Sequence, residues 1–398
     1  MAARPKSIEQ AAEEAAAEAE VAGEDEERVM PLELFFDLVF VFAITQVTAF
    51  IADDPTWKGL LRGMLILAVV WWAWVAYSWL TDTLDTEEDR TRIVMFMAMA
   101  AMFVVSLAIP GAFNDDALLF AVAYGLVRAG HILLYGYAAN DTGVKQAVKR
   151  LAPSAFVGCA LLVVASFLDG TAQGLVWAVA IAIDFAGPVL AGMEGWTLHP
   201  GHFAERHALI IIIAFGELIV ATGVGAQGLE LDGAVVAAAV IGIALAAALW
   251  WAYFDVVALV AERHLRQARD LTQIKMARDS YSFIHFLLIA GIVLVALGAK
   301  KTIGTVDEPL KIVPATALCG GVAVYLLGHI AFRLRNIGSV NKQRLVVAVL
   351  AAAFIPVATE VDALVTLSAM AALACGLIAY EAIRFAEARR RVRASVHA

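Results

Sequence analysis

The chain has 398 residues, of which 62% are hydrophobic, and its mean hydropathy is +0.78. Because a soluble domain contains roughly 45 to 50% apolar residues, this composition excludes an ordinary soluble protein and indicates a polytopic membrane protein. The formal net charge of −9 owes much to an acidic stretch before residue 29. It gives no support to nucleic-acid binding, since the basic residues lie in short loops between apolar runs.

The first predicted element is an acidic tail over residues 1–28, which is rich in alanine and glutamate and is expected to be solvated and disordered. A bilayer core of roughly 30 Å requires about 20 apolar residues per helix, and apolar runs of that kind predict about twelve transmembrane helices. The predicted spans are 32–51, 59–80, 93–111, 117–137, 152–168, 173–193, 208–225, 233–260, 281–299, 312–332, 345–359 and 362–383. The predicted fold is therefore all-α, a polytopic membrane helix bundle.

Three further features of the sequence lie within or beside these predicted spans. The eleventh span is short and contains Pro356, and a basic tail over residues 386–398 follows the twelfth. The tryptophan groups "WWAW" and "LWWAY" are typical of an aromatic belt or a packing ridge. After the second span, the acids from Asp82 to Asp89 predict a solvated loop.

Lysine and arginine are unevenly distributed among the loops. The loops after even-numbered spans hold most of them. Because cytoplasmic loops carry an excess of these residues, the pattern predicts a multi-pass cell-membrane protein with both termini in the cytoplasm.

The two halves of the chain resemble each other. Asp37 in "FFDLVF" precedes "WWAW", and Glu217 in "AFGELIV" precedes "LWWAY". Further along each half, "GHILLYG" corresponds to "GHIAFRL", and an arginine precedes each acid, Arg28 and Arg206 respectively. Four correspondences in one order predict a tandem duplication of a six-helix unit, a 6+6 repeat whose copies share one orientation in the membrane.

The predicted boundaries follow from this duplication. The first six-helix repeat covers residues 29–200 and the second covers residues 201–385. Asp37 and Glu217 then lie on the leading helix of each repeat, helices 1 and 7. Equivalent acids in two repeats favour a functional role over a packing role.

An ionisable group at membrane depth costs at least a few kcal/mol and is a functional-site hypothesis by default. The candidates are Asp37, Arg128, His131, Asp184, Glu217, Asp255, His285 and His329. The alternative interpretation is that acids and bases pair inside the bundle and hold the helices together.

Expected partners can be named for several of these groups. Arg206 lies roughly 16 Å along a straight helix from Glu217, so Arg128 or a histidine is expected to be the partner of Glu217. Arg128 lies three residues before His131 on one helical face and is expected to pair with Asp184 or with an acid of the opening motif.

The histidines of the repeated motif, His131 and His329, allow two interpretations. They relay protons, since the ordinary pKa of histidine lies near 6.5, or they remain neutral and bond a neighbouring helix.

Enzymatic chemistry is not indicated by any motif. Signatures of zinc peptidases, nucleotide-binding loops and serine hydrolases are absent from the sequence. The three cysteines, Cys159, Cys319 and Cys375, lie singly in apolar runs. No catalytic residue, metal site or cofactor is therefore predicted, and an enzyme is the less favoured class.

The residues match a known family. "ELFFDLVFVFAITQ" near the amino terminus and "HFAERHALIIIIAFGELIVATG" near the middle resemble the bacterial low temperature requirement A family, LtrA. The resemblance covers the chain beyond its leader. It implies an integral membrane protein linked by name to growth in the cold, with a stress-response role and no agreed substrate.

A more distant resemblance is to the lysosomal potassium and proton channel family, whose six-helix repeats begin with an arginine and a Phe-Ser-Asp motif. Arg28, Phe35 and Asp37 match that motif, with Phe36 at the serine position. In the second repeat Arg206, Phe215 and Glu217 match it, with Gly216 at the serine position. The resemblance implies that the first helix of each repeat lines a pathway.

The favoured function is an ion channel or a secondary transporter, for a cation or coupled to protons, with the acids of helices 1 and 7 in its pathway. A fourfold-like pore built from a two-repeat chain requires a homodimer. The partners expected are the lipid bilayer and a small ion or solute. The alternatives are a membrane-embedded enzyme and a structural stress-response protein without transport activity.

Overall fold

The computed structural model describes residues 29–394 except Asp85, Glu87 and 139–141. The predicted acidic tail, including Arg28, lies outside the described residues. Within them, regular structure is helical, apart from one isolated bridge between Pro309 and Asp362.

The helices are numbered α1 to α17 in chain order. They are α1 Pro31–Asp53, α2 Trp57–Thr83, α3 Asp89–Ala108, α4 Ala117–Ala138, α5 Thr142–Ala165, α6 Gly170–Leu190, α7 Pro200–Gly225, α8 Gly233–Phe254, α9 Val257–Gln267, α10 Asp270–Met276, α11 His285–Ile303, α12 Ile312–Ala315, α13 Gly321–Ile337, α14 Lys342–Ala353, α15 Ile355–Ala358, α16 Ala363–Arg384 and α17 Ala386–Ala394. The π-helical segments Ala277–Ile284 and Thr316–Gly320 join α10 to α11 and α12 to α13.

Eleven of the described helical segments are long and apolar enough to span a bilayer, which confirms an all-α membrane bundle. The predicted eleventh span is instead the short pair α14 and α15. Asn341, just before α14, bonds Glu381 near the end of α16, and the N–H of Ala363 at the start of α16 bonds the loop after α11. The pair therefore runs beside α16 across the bundle.

Pro356 accounts for the break in this crossing. It lies in the first turn of α15, where its missing N–H costs no helical hydrogen bond, whereas inside a longer helix it would remove one. The duplication itself stays a prediction.

The bundle has two faces. The loops at 191–199 and 338–341 share one of them with the start of α1 and the end of α2, and this face carries most of the loop lysines and arginines. We call it the basic face. The loops at 54–56, 166–169 and 304–311 lie at the opposite face, where Arg62 at the start of α2 contacts Gly170 at the start of α6.

Glycines allow α11 to lie close to the helical segment that leads into α13. A Cβ on Gly298 would stand 2.6 Å from Leu318 Cα, and one on Gly321 would stand 2.8 Å from the backbone nitrogen of Val295. Such small residues let backbones approach where lipid supplies no hydrophobic driving force between helices. Close packing at these positions therefore holds α11 at the centre of the second half.

Gly298→Ala is expected to destabilise the protein by about 1–3 kcal/mol, because the added methyl group meets backbone atoms that cannot move alone. Thermal unfolding in detergent measures the effect. The matched control is Gly376→Ala, since a Cβ there meets no atom within 4 Å. Equal unfolding midpoints for the two variants would contradict this packing.

Candidate functional site: a buried ionic cluster

Five ionisable side chains meet where the start of α1, the end of α2 and the first turns of α7 come together at the basic face. They are Glu33, Asp37, Asp82, His202 and Arg206, and all are buried. We call this group the buried ionic cluster. It joins the two halves of the chain.

Arg206 is the centre of the cluster and is fully buried. Its Nη1 donates to Glu33 Oε1 at 2.6 Å and to Thr81 Oγ1 at 3.1 Å, and its Nη2 donates to Asp37 Oδ1 at 2.8 Å. The planar guanidinium suits this arrangement, since its fixed fork of donors reaches two carboxylates at once. One side chain of α7 thus binds α1 and α2 together.

His202 forms the second bridge, one helical turn before Arg206. Its Nε2 lies 2.8 Å from Glu33 Oε2 and its Nδ1 lies 3.1 Å from Asp82 Oδ1. Asp82 also accepts the backbone N–H of His199 at 2.8 Å, just before the start of α7. A carboxylate at a helix amino terminus is stabilised by the helix dipole as well as by this hydrogen bond.

Among the described residues, Asp37 has hydrogen-bond partners at only one of its two carboxylate oxygens. Its Oδ1 accepts from Arg206 and also from Trp74 Nε1 of α2 at 2.9 Å. Its Oδ2 is buried and has no hydrogen-bond partner among the described residues. An unpaired buried carboxylate oxygen is costly, so this atom is the natural position for a proton.

The cluster contains more acid than base. Three carboxylates face one guanidinium and one buried imidazole, while the imidazole of His199 lies at the rim with its side chain half exposed. Even with His202 protonated, the buried groups carry an excess of one negative charge. A further bound proton removes that charge, which a low-dielectric interior strongly favours.

Glu217 lies further along α7 and is 2% exposed. The hydroxyl of Thr45 in α1 donates to its Oε2. The expected partner, Arg128 or a histidine, is wrong, because the rotation of α7 turns Glu217 toward α1. Each leading helix thus binds the acid of the other, since Asp37 of α1 bonds Arg206 of α7.

Arg128 and Asp184 form a separate buried pair between α4 and α6. Arg128 Nη2 donates to Asp184 Oδ1 at 2.7 Å, and the Tyr124 hydroxyl donates to Oδ2 at 3.3 Å. His131 is buried on α4 against the rings of Tyr77 and Tyr135. The pair is neutral overall, and neither of its two side chains bonds a residue of the buried ionic cluster.

The aromatic motif residues are placed differently from one another. Phe35 is 52% exposed on the outer surface, where its ring lies against that of Phe96, and its place in a pathway stays a prediction. Phe215 is buried against Tyr325. His329 is buried on α13, and neither of its ring nitrogens has a partner among the described residues.

Sequence reasoning missed several residues of the cluster. Asp82, expected in a solvated loop, is 2% exposed and bonds His202 of α7. Glu33 lies four residues before Asp37, and His202 lies four before Arg206, so each pair shares a helical face. That spacing was a usable signal for Glu33 and His202, whereas nothing local indicated Trp74 or Asp82.

No three histidine, cysteine, aspartate or glutamate side chains of the described residues are arranged to hold a metal ion. The cluster consists of carboxylate, imidazole and guanidinium groups that bond one another inside the bundle.

Comparison with known proteins places these motifs in a family. The model of the bacterial low temperature requirement A protein family (LtrA) matches residues 28–379. An uncharacterized protein of Rhizobium meliloti (strain 1021) is 28% identical over 311 residues, which are 74% of this chain and 75% of that protein. No solved structure matches the chain. The comparisons give no support to the more distant resemblance to the lysosomal channels.

Proposed function

This chain belongs to the bacterial low temperature requirement A protein family, and from that premise we propose that it is a proton-coupled secondary transporter. The pathway for protons follows the interface between α1 and α7. Asp37 and Glu217 are the groups that load and release the proton.

One observation carries this proposal: the acids of the two leading helices are bonded reciprocally across one interface. Asp37 bonds Arg206 of α7, and Glu217 bonds Thr45 of α1. Arg206 and Glu217 are 11 positions apart in the sequence, which is about 16 Å of helix, so the two acids lie at different depths. Two protonation sites at different depths on one interface are what a proton pathway requires.

The charge balance supports proton coupling. The buried ionic cluster carries an acid excess, and Asp37 Oδ2 has no partner among the described residues. Protonation of Asp37 weakens its ion pair with Arg206, so it favours separation of α1 from α7. Movement of one half against the other about a central site is the usual mechanism of duplicated carriers.

The closed interface favours a carrier over an open channel. Asp37 is 0% exposed and Glu217 is 2% exposed, so neither acid faces an open lumen. A carrier with a path between the halves of one chain requires no partner subunit.

Two further predictions fit this proposal. The excess of lysine and arginine at the basic face favours a cytoplasmic position for that face and for both termini. His131 and His329 of the repeated motif each contact a tyrosine on the second helix of their own half, Tyr77 and Tyr253, which supports the 6+6 duplication.

Asp37→Asn is expected to lower proton flux by at least about tenfold, a change of about 1.4 kcal/mol in the barrier, because the amide keeps the hydrogen bond to Arg206 but cannot take up a proton. The measurement is the internal pH of proteoliposomes that contain the purified protein, under imposed pH and potential gradients. Potassium, sodium, phosphate and succinate are tested in turn. Glu217→Gln is also expected to lower the proton flux.

The control is Lys149→Gln, which removes an exposed charge from the basic face. If the wild-type protein moves no protons under any of these gradients, the transporter proposal fails. Equal flux in Asp37→Asn and wild type, with both folded, would remove Asp37 from the pathway.

A further inference from the structure

A second polar site lies at the basic face among α8, α9, α13, α14, α16 and α17. It is a cavity of about 410 Å³, within the usual size range of small-ligand pockets. Its polar wall contains Arg333, Arg344, Arg389, His329 and Asn336. We call it the arginine cavity.

Both acids of the arginine cavity already have partners. Glu381 accepts from Arg344 Nε at 3.0 Å, from Arg344 Nη2 at 2.9 Å and from Asn341 Nδ2 at 2.9 Å. Asp255 pairs with both Arg389 and Arg393 of α17. The carboxylates are therefore neutralised within the protein, and the cavity keeps an excess of positive charge.

The cavity also holds buried polar groups that have no protein partner. Asn336 is 8% exposed; its Oδ1 accepts from the Ser280 hydroxyl, and its Nδ2 has no partner among the described residues. His329 is 2% exposed and has no partner on either nitrogen in the same set. Because a buried donor without an acceptor is costly, an acceptor-rich ligand that reached Asn336 and His329 would lower this cost.

We propose that the arginine cavity binds a small anion through carboxylate or phosphate oxygens. Asn336, His329 and the guanidinium of Arg333 supply the donors. This inference rests on the proposed function, for which it names the substrate class: an anionic solute that crosses together with protons. A proton and a monoanion cross as a neutral pair, which lowers the electrostatic cost of passage through the bilayer.

A continuous row of polar aromatic side chains joins the arginine cavity to the buried ionic cluster. The Tyr253 hydroxyl lies 2.9 Å from His285 Nε2, and the Tyr253 ring lies 5.9 Å from that of His329. His285 lies 5.4 Å from His207 between ring centres, and His207 lies 4.8 Å from Trp74, which bonds Asp37. Packed rings therefore connect the two sites within the bundle.

The test is calorimetric titration of the full-length protein in detergent with inorganic phosphate and with succinate. Asn336→Asp keeps the acceptor for Ser280 and replaces the donor by a repelling oxygen, so the affinity is expected to fall by at least about tenfold. Arg333→Gln removes an exposed cavity charge without breaking a buried pair, and severalfold weaker binding is expected. Lys149→Gln, an exposed charge on the same face, is the control and should bind like the wild type.

A lipid headgroup presents the same oxygens, because basic pockets between helices also bind anionic lipids. Native mass spectrometry therefore counts phosphatidylglycerol retained by the wild type and by Asn336→Asp. Lipid lost from the variant, without binding of either free anion, supports the site and identifies its ligand as a headgroup. Binding of no anion and no lipid, or equal binding by all variants, overturns the proposal.

The two proposals fail separately. Anion binding that Asn336→Asp weakens, in a protein that moves no protons, leaves the anion site standing and removes the transporter. If the protein moves protons but Asn336→Asp leaves its anion binding unchanged, the transporter stands and the anion site is removed.

Discussion

Arg206→Gln is expected to lower the free energy of unfolding by about 3–5 kcal/mol, because it leaves Glu33 and Asp37 buried without their shared cation. Thermal unfolding in detergent measures the loss. Few single substitutions destabilise a protein this much, and removal of one partner from a buried ion pair is among the mechanisms that do.

Two further variants separate charge from geometry at this position. Arg206→Lys keeps the charge but lacks the planar fork, so it is expected to recover only part of the stability, since one ammonium cannot occupy the positions of both Nη1 and Nη2. The double variant Arg206→Gln with Asp37→Asn should be less destabilised than the sum of the two single effects. Additive effects would mean that the two groups are not coupled.

Arg128→Met is expected to cost a similar amount, about 3–5 kcal/mol, because Asp184 then stays buried with only the Tyr124 hydroxyl as a described partner. The same unfolding measurement applies. The side chain of Arg128 is buried, so solvent does not screen the loss.

The double variant Arg128→Met with Asp184→Leu tests the role of this pair. Replacement of a whole buried ion pair by apolar groups of similar volume is often neutral or stabilising, so most of the lost stability should return. Proton flux of the folded double variant should match the wild type, because the pair lies apart from the buried ionic cluster. A large loss of flux would place Arg128 and Asp184 in the pathway as relay groups.

The helices themselves were predictable because the bilayer imposes a local rule. A segment that crosses it must satisfy its backbone internally and be apolar over about 20 residues, and both conditions can be read from consecutive residues. Hence eleven of the predicted spans overlap long apolar helices of the structure. The eleventh differs because Pro356 starts a new short helix at that point.

The bonding partners of the charged side chains were harder to predict than the helices. Glu33 and Arg206 lie 173 positions apart, and their contact depends on how α1 and α7 rotate and approach each other. The distance argument correctly separated Arg206 from Glu217. It could not show that Arg206 turns toward Asp37, or that a threonine of α1 would meet Glu217.

The sequence by itself determined the membrane class, the crossings and the family motifs, because each depends on residues near one another in the chain. Only the tertiary structure decided that Asp82 is buried, that Trp74 bonds Asp37, and that Phe35 faces outward. A helix carries side chains in every direction around its axis, and its own sequence does not determine which neighbouring helix covers each side. The packing of the whole bundle determines these contacts. This packing brings three acids, one arginine and one histidine together at the junction of α1, α2 and α7.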